Sequence, residues 1–385
     1  MKALDKNKLR ELAILSIGLL TASNGAISGA LVFMQKDLNL TRQAAEFLIP
    51  LSSITTILTI ALSERFTKWI GMKKCVQLGM VLFFLSGLLP VLRPSYWMVF
   101  LSRIVLGAGI GLFNGHSANY ISALFEGEKV ASLHGMRNAM EFIGQIALLL
   151  LAGFLIKIRW NLAFLTYTSA IFILFFFSKY VEDIEDSQDD DGRFFLNKQV
   201  IFYIFFAGIM IMNTTALTVR FPTIATMAKG LGVNVNAYMT LMPIFGMIFG
   251  FSFGYVNRRL REKTILLALV FFIISNMIAG LWGENMISYL LAMVLNVFSM
   301  SMATPYLFAE ASRFARGSQN RIINNLIFIG CNIGGFLSPI FLGLVEGLFK
   351  NPSLTQAFMA FSVIYSLLFA IYFYEYLKVR SVSYK

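Results

Sequence analysis

The polar stretch MRNAMEFIGQ, residues 136–145, interrupts a long apolar run. Asn138, Glu141 and Gln145 are spaced three and four residues apart, which places them on one face of a helix. Arg137 precedes Glu141 by four residues and can pair with it. Ionisable residues within membrane helices are candidates for functional sites. We therefore predict that Glu141 and Arg137 take part in proton coupling; the alternative is a static ion pair that orients the helix.

Other apolar runs carry polar residues at comparable depth, where they could contact a polar solute. With the two amides above, these candidates are Asn24, Ser28, Arg103, Asn138, Gln145, Asn213, Asn325 and Asn332. Arg103 could bind an anionic solute or stabilise a proton-transfer state; alternatively, it could snorkel outward or cap a carbonyl. For the asparagines, the alternative is hydrogen bonding between helices, which contributes only about 0.6 kcal/mol per contact in membranes.

The composition indicates which elements must position these residues. The chain has 385 residues, of which 57% are hydrophobic and only 14% charged, and its mean hydropathy is +0.72. Soluble proteins carry about 25% charged residues. Because the apolar residues occur in runs long enough to cross a bilayer as helices, we predict an all-α integral membrane protein.

Counting the apolar runs predicts twelve transmembrane helices, here called spans 1 to 12. They lie near residues 12–34, 43–63, 74–93, 96–122, 131–157, 161–180, 198–219, 235–256, 264–283, 286–309, 322–348 and 355–377. The first run follows several basic residues but lacks a small-residue cleavage site. We therefore interpret it as span 1 and not as a removable signal peptide.

The net charge of +12 is distributed unevenly between the two sides of the membrane. If the N-terminus is cytoplasmic, most Lys and Arg residues fall in inside segments, a bias that fixes orientation. We therefore expect a multi-pass protein of the cell membrane with both termini in the cytoplasm, and we interpret the charge as a topology signal, not as a nucleic-acid site. Cys75 and Cys331 fall within or beside predicted spans, so no disulfide framework is indicated.

The acidic stretch VEDIEDSQDDDGR divides the chain into two halves of six spans each. We predict a six-helix bundle over residues 1–180, an acidic cytoplasmic linker over 181–197 and a second six-helix bundle over 198–385. Residues 120–144 align without gaps on residues 306–330, including a shared Phe-Ile-Gly. Two pseudo-symmetric halves around a midplane site are typical of secondary transporters.

Two sequence elements indicate a known family. The loop GYVNRRLREK at 254–263 follows a glycine-then-basic pattern, and RIVLGAG at 103–109 is similar to an Arg-x-x-x-Gly-x-Gly element. On these residues the chain resembles the major facilitator superfamily over nearly its whole length. Pro50, and the loop with Glu64 and Lys68 where the family usually has Gly and Asp, are faintly similar to cyanate-permease-like members.

The resemblance implies a secondary active transporter that works by alternating access around a cavity lined by spans 1, 4, 5, 7, 10 and 11. We expect proton-coupled movement of a small polar or anionic organic solute; the alternative is proton-driven efflux of amphipathic compounds or drugs. At the cytoplasmic ends, charged residues could form gate contacts. They are Arg65, Arg258, Arg261 and Glu310, and we expect Glu310 to pair with the Arg258–Arg261 cluster.

Other classes of protein are disfavoured by missing signals in the sequence. A membrane-embedded enzyme would need a clustered catalytic set, and a receptor usually has an added soluble domain. There is also no Gly-rich phosphate loop ending in Lys-Ser or Lys-Thr and no His/Cys metal cluster. We therefore predict no enzymatic activity, no cofactor and no metal. The expected partners are a small-molecule solute, protons and the lipid bilayer, without nucleic acid, and we expect a monomer.

Overall fold

A computed structural model describes residues 6–126, 128–184, 197–313, 319–349 and 353–383. All the regular elements within these ranges are helices, which confirms the predicted all-α class. Most of the predicted acidic linker, 181–197, lies outside the described residues.

Eleven helices of the described part of the chain are long and apolar enough to cross a membrane, and they correspond to predicted spans 2 to 12. Eight of these are single helices: Met72–Leu92, Tyr96–Leu124, Glu128–Ile156, Lys198–Lys229, Lys263–Trp282, Met286–Ser312, Gln319–Glu346 and Ala357–Ser383. Spans 2, 6 and 8 are each built from two pieces. Span 6 begins as the 3-10 helix Trp160–Ser169 and continues as Ala170–Tyr180, and span 8 begins as Val235–Met239 and continues as Leu241–Leu260.

Span 1 is not the continuous helix predicted over 12–34. Its pieces are Lys6–Ser16, Gly18–Thr21, the 3-10 turn Ser28–Ala30 and Leu31–Asp37. The interruption at 22–27 has the sequence ASNGAI. Ser and Asn side chains compete for backbone hydrogen bonds, and glycine loses more conformational entropy in a helix than other residues. The segment is therefore a weak helix former despite its apolar surroundings.

Span 2 is interrupted at Pro50, between the helices Arg42–Leu48 and Ser52–Ile70. Proline has no backbone N–H, and its ring crowds the carbonyl one turn earlier. The hydrogen-bond ladder is therefore interrupted here, although Ile49 and Leu51 keep helical dihedral angles. Two consecutive spans are thus broken within the first half of the chain. Each break leaves backbone carbonyls that need donors from elsewhere in the protein.

The chain forms two compact units. The first contains Met1–Gly192 together with Asn234–Pro243, and the second contains Arg193–Val233 and Ile244–Lys385. Residues 234–243, at the start of span 8, group with the first unit. The prediction had placed them in the second bundle, 198–385.

Within the second unit, spans 7 and 11 approach each other closely through glycines. A Cβ atom on Gly334 would lie 1.9 Å from the carbonyl oxygen of Gly208, and one on Gly330 would lie 2.7 Å from that of Ile204. Small residues at such crossings let helix backbones approach, which is a main source of packing energy in membranes. Continuous, tightly packed helices therefore characterise this part of the second unit.

Candidate functional site

Arg103 of span 4 is fully buried in the first unit. Its guanidinium donates hydrogen bonds to backbone carbonyls at both helix breaks. Nε donates to Leu48 O at 3.1 Å, and Nη2 donates to Ile49 O at 2.6 Å and to Asn24 O at 3.0 Å. One side chain thus joins span 4 to the interrupted parts of spans 1 and 2.

The remaining partners of Arg103 are hydroxyl groups. Nη1 donates to Tyr167 Oη at 2.9 Å, and Nη2 also lies 3.2 Å from Ser52 Oγ. The Tyr167 hydroxyl donates to Ser23 O at 3.4 Å, and Ser52 Oγ donates to Asn24 Oδ1 at 3.2 Å. The acceptors of this guanidinium among the described residues are therefore all neutral, and they come from spans 1, 2 and 6.

This arrangement corresponds to one of the alternatives for Arg103, the capping of carbonyls. A buried cation is costly unless hydrogen bonds replace its hydration, and guanidinium presents several N–H donors in a fixed fork. Here the carbonyl dipoles of two broken helices, together with two hydroxyls, serve in place of a counter-ion. The contacts occupy all three nitrogens, so the geometry gives no support to direct binding of an anionic solute by Arg103.

The break in span 1 also carries the predicted solute contacts Asn24 and Ser28. Asn24 is partly exposed, whereas Ser28 and the neighbouring Ser23 are fully buried. The hydroxyl oxygens of both serines have no hydrogen-bond partner among the described residues. Buried polar groups are nearly always satisfied by protein or water, so these two hydroxyls are exceptions among the described residues. Contact of Asn24 or Ser28 with a solute stays a prediction.

The predicted Arg137–Glu141 ion pair is present in the first unit. Arg137 Nη2 lies 3.0 Å from Glu141 Oε1, and the two side chains are 14% and 30% exposed. Arg137 also donates to Ser117 Oγ and Asn114 Oδ1 of span 4, both at 2.8 Å. Arg137 is thus held by three side chains, while Glu141 is the most exposed member of the pair.

The other predicted residues of span 5 lie near this pair along the same helix. Asn138 is exposed and Gln145 is partly exposed. Together with Glu141, they give span 5 a polar face that is at least partly exposed. Their contact with a solute stays a prediction.

Asn213 of span 7 is fully buried in the second unit, where it forms an amide network. Asn213 and Asn276 exchange hydrogen bonds of 2.7 and 3.0 Å, and Asn296 Nδ2 donates to Asn213 Oδ1 at 2.8 Å. Thr214 Oγ1 donates to Asn296 Oδ1 at 2.8 Å. Spans 7, 9 and 10 are therefore linked by amides, as in the interhelical alternative for Asn213. Asn276 and Asn296 were not singled out from the sequence.

The predicted amides of span 11 are both partly exposed. Asn332 Nδ2 donates to Phe328 O at 2.9 Å, one turn earlier in its own helix. Asn325 lies two turns before Asn332 on the same side of the helix. A solute contact by either residue stays a prediction.

A buried ion pair between Arg220 and Glu346 was missed by the sequence reasoning. Arg220 Nη1 lies 2.5 Å from Glu346 Oε1 and donates to Leu354 O at 3.0 Å, and the two side chains are 0% and 6% exposed. The prediction ended span 7 at residue 219, which placed Arg220 in a loop. The signal was present, because the apolar sequence FPTIATM continues the helix to Lys229.

The charge contacts predicted for the cytoplasmic ends differ from those in the structure. Glu310 pairs with Arg313, three residues later, at 2.9 Å between Oε1 and Nη1. In this structure Arg313 reaches Glu310 from the end of the same helix, and a gate pairing of Glu310 with Arg258 or Arg261 stays a prediction. Arg65, Arg258 and Arg261 are exposed, and a gate role for them stays a prediction.

A family profile described as the Major Facilitator Superfamily matches residues 13–339. The chain belongs to this superfamily. Membership confirms the resemblance inferred from the sequence and places the chain among membrane transporters, not among enzymes.

Relatives of this superfamily member include named solute transporters. It is 26% identical to a D-xylose transporter of Levilactobacillus brevis over 154 residues, 39% of this chain and 34% of that protein. It is 24% identical to the uncharacterized transporter BU466 of Buchnera aphidicola over 295 residues, 71% of this chain and 73% of that protein. The chain thus spans about a third of the length of the D-xylose transporter.

Solved structures share the fold of this superfamily member. The inward-open xylose transporter XylE from E. coli matches with a TM-score of 0.76 at 14% identity, covering 94% of this chain and 95% of that chain. A POT family transporter in complex with 5-aminolevulinic acid matches with a TM-score of 0.77 at 11% identity, covering 95% of each chain. At these identities the likeness establishes the fold alone.

Replacing Arg103 tests whether its guanidinium stabilises both helix breaks. We expect Arg103→Lys to destabilise the purified protein by about 3 kcal/mol, because one ammonium cannot replace the fork and each buried group that loses its partner costs about 1–3 kcal/mol. Thermal unfolding in detergent measures the loss. Arg93→Lys, at an exposed arginine, is the control and should change stability by less than about 0.5 kcal/mol. Equal stability of the two variants would contradict the assignment.

Proposed function

We propose that this protein is a secondary active transporter that moves a small, uncharged, hydroxyl-rich solute by alternating access and couples this movement to protons through Glu141. The observation that carries the proposal is that both central cations of the first unit, Arg103 and Arg137, are engaged by the protein. Neutral amides and hydroxyls are then the groups that remain for the solute.

The chemistry of these neutral groups favours a solute that both donates and accepts hydrogen bonds. Asn24, Asn138 and Gln145 carry amides, and Ser28 carries a buried hydroxyl with no partner among the described residues. An amide offers a carbonyl acceptor and two donors, and a hydroxyl offers both functions. Sites built this way discriminate against analogues that lack the matching hydroxyl. Monosaccharides and polyols meet this requirement better than carboxylates do.

The names of the relatives support the same class of solute. Besides the D-xylose transporter, a polyol transporter of Arabidopsis thaliana is 24% identical over 147 residues, 36% of this chain and 26% of that protein. These matches cover parts of the relatives, so the solute class is part of the proposal.

Proton coupling is assigned to Glu141 because its partner, Arg137, has other hydrogen-bond acceptors. Besides the pair with Glu141, Arg137 donates to Asn114 and Ser117, and these two hydrogen bonds do not require a charge on Glu141. Protonation of Glu141 would therefore release that side chain without leaving Arg137 uncompensated. An acid with 30% of its side chain exposed can exchange a proton with water and can respond to a neighbouring solute.

The solute class is tested by transport into proteoliposomes. We expect saturable counterflow of at least one aldopentose, aldohexose or alditol, because the proposed site offers neutral hydrogen-bonding groups. The panel includes a dicarboxylate and a cationic amphipathic dye as competing classes. Flux of the dicarboxylate alone would contradict the uncharged solute, and flux of the dye alone would favour efflux of amphipathic compounds.

The coupling role is tested with Glu141→Gln, which keeps the size and polarity of the side chain but cannot carry a proton. We expect this variant to lose solute accumulation driven by a pH gradient while keeping solute counterflow, which needs no net proton movement. Glu126→Gln, at an exposed acid, is the control and should keep both activities. Full gradient-driven accumulation by Glu141→Gln would rule out coupling through this residue.

A further inference from the structure

Asn236 is fully buried in the first unit, at the start of span 8, and none of the functions described above uses it. Its amide makes three hydrogen bonds to backbone. Nδ2 donates to Ala26 O at 2.7 Å and to Leu149 O at 3.1 Å, and Oδ1 accepts from Gly29 N at 2.9 Å. One side chain therefore contacts the backbones of spans 1 and 5.

These contacts are at the break in span 1. Ala26 lies within the interrupted segment 22–27, and Gly29 lies in the 3-10 turn that follows it. A carbonyl and an N–H in a broken membrane helix both need partners from outside that helix. Asn236 supplies the donor and the acceptor together, whereas Arg103 serves the carbonyl of Asn24 at the other end of the same segment.

Two glycines make room for the start of span 8. A Cβ atom on Gly29 would lie 2.4 Å from Asn236 Oδ1, and one on Gly153 would lie 3.0 Å from Asn236 Cβ. The Gly153 Cβ would also lie 2.6 Å from Oδ1 of Asn234, whose side chain caps the helix Val235–Met239 by accepting from Ala237 N at 3.2 Å. Glycine is the residue that permits such close approach of a backbone.

The segment Asn234–Pro243 connects the two compact units along the chain. Residues Asn234–Pro243 group with the first unit, whereas the chain continues at Ile244 into the second unit. Pro243 lies at this boundary, shortly after the helix resumes at Leu241. Span 8 is thus the element that starts in one compact unit and continues in the other.

We propose that Asn236 is a positioning residue that locks the segment Asn24–Ser28, which the proposed function assigns to solute contact. In the locked state this segment is closed to the membrane face where span 8 begins, and Asn236 releases the segment when that face opens. By the charge distribution in the loops, that face is extracellular. The lock is reversible because water can replace each of the three hydrogen bonds. The inference rests on the proposed transport function, since it concerns access to the same solute segment.

The experiment measures the accessibility of the locked segment. Ser28→Cys is introduced into a chain in which Cys75 and Cys331 are replaced by serine, and a membrane-impermeant maleimide is added separately to each face of oriented vesicles. We expect slow labelling with Asn236 present. Asn236→Ala should raise the labelling rate from the face where span 8 begins by several-fold. Asn236→Asp should do the same, because aspartate keeps the acceptor for Gly29 but loses the donors to Ala26 and Leu149.

Asn234→Ala is the matched control for this experiment. It removes the cap of the same short helix but none of the three backbone contacts, so labelling should stay near the starting rate. Gly153→Ala provides an independent variant that displaces Asn236 without changing it, and it should raise labelling as Asn236→Ala does. If well-folded Asn236 and Gly153 variants all label at the starting rate, the lock is wrong.

Transport measurements separate the lock from the proposed function. Asn236→Ala should also lower, several-fold, the half-saturating concentration of solute offered on that face, because less of the protein is held in a state that the solute cannot enter. Raised labelling without flux of any sugar or polyol would support the lock and contradict the proposed solute class. Sugar or polyol flux with unchanged labelling and unchanged half-saturation would contradict the lock alone.

Discussion

The constraint on which the first unit depends is that a broken helix in an apolar environment must have its backbone groups satisfied by the protein. Arg103 meets this constraint for two helices at once, since its guanidinium donates to Leu48 O and Ile49 O of span 2 and to Asn24 O of span 1. Without these hydrogen bonds, spans 1 and 2 would leave unpaired carbonyls in the membrane. The buried arginine thus allows spans 1 and 2 to be interrupted.

The two units place their polar groups differently. The first unit has them at interrupted helices, whereas the described part of the second unit has them between continuous helices. In the first unit, Asn24 in the break is partly exposed, and the buried Ser28 hydroxyl has no partner among the described residues. Asn236 binds the backbone at Ala26 and Gly29. In the second unit, continuous helices are fastened by the amide network around Asn213 and by the glycine contacts between spans 7 and 11. The proposed solute contacts Asn24, Ser28, Asn138 and Gln145 therefore all lie in the unit whose backbone is irregular.

The sequence predicted those features that depend on local composition. Spans 2 to 12 follow from long apolar runs, and the break in span 2 has a visible cause in Pro50. The break in span 1 was not predicted, because its stability comes from donors on spans 4, 6 and 8 that hydropathy does not reveal. For the same reason, the sequence left the role of Arg103 open between four alternatives and gave no indication of Asn236. Arg220 was missed because the helix continues beyond the predicted boundary.

Hydrogen–deuterium exchange of the two broken segments tests the central claim most directly. We expect Arg103→Lys to accelerate amide exchange both in peptides that cover 22–29 and in peptides that cover 48–53, whereas Arg93→Lys should change neither. Coordinated change is expected because one guanidinium serves both breaks. If Arg103→Lys left exchange in both segments at the wild-type rate, or altered only one of them, the claim that this side chain holds the two interrupted helices would be contradicted.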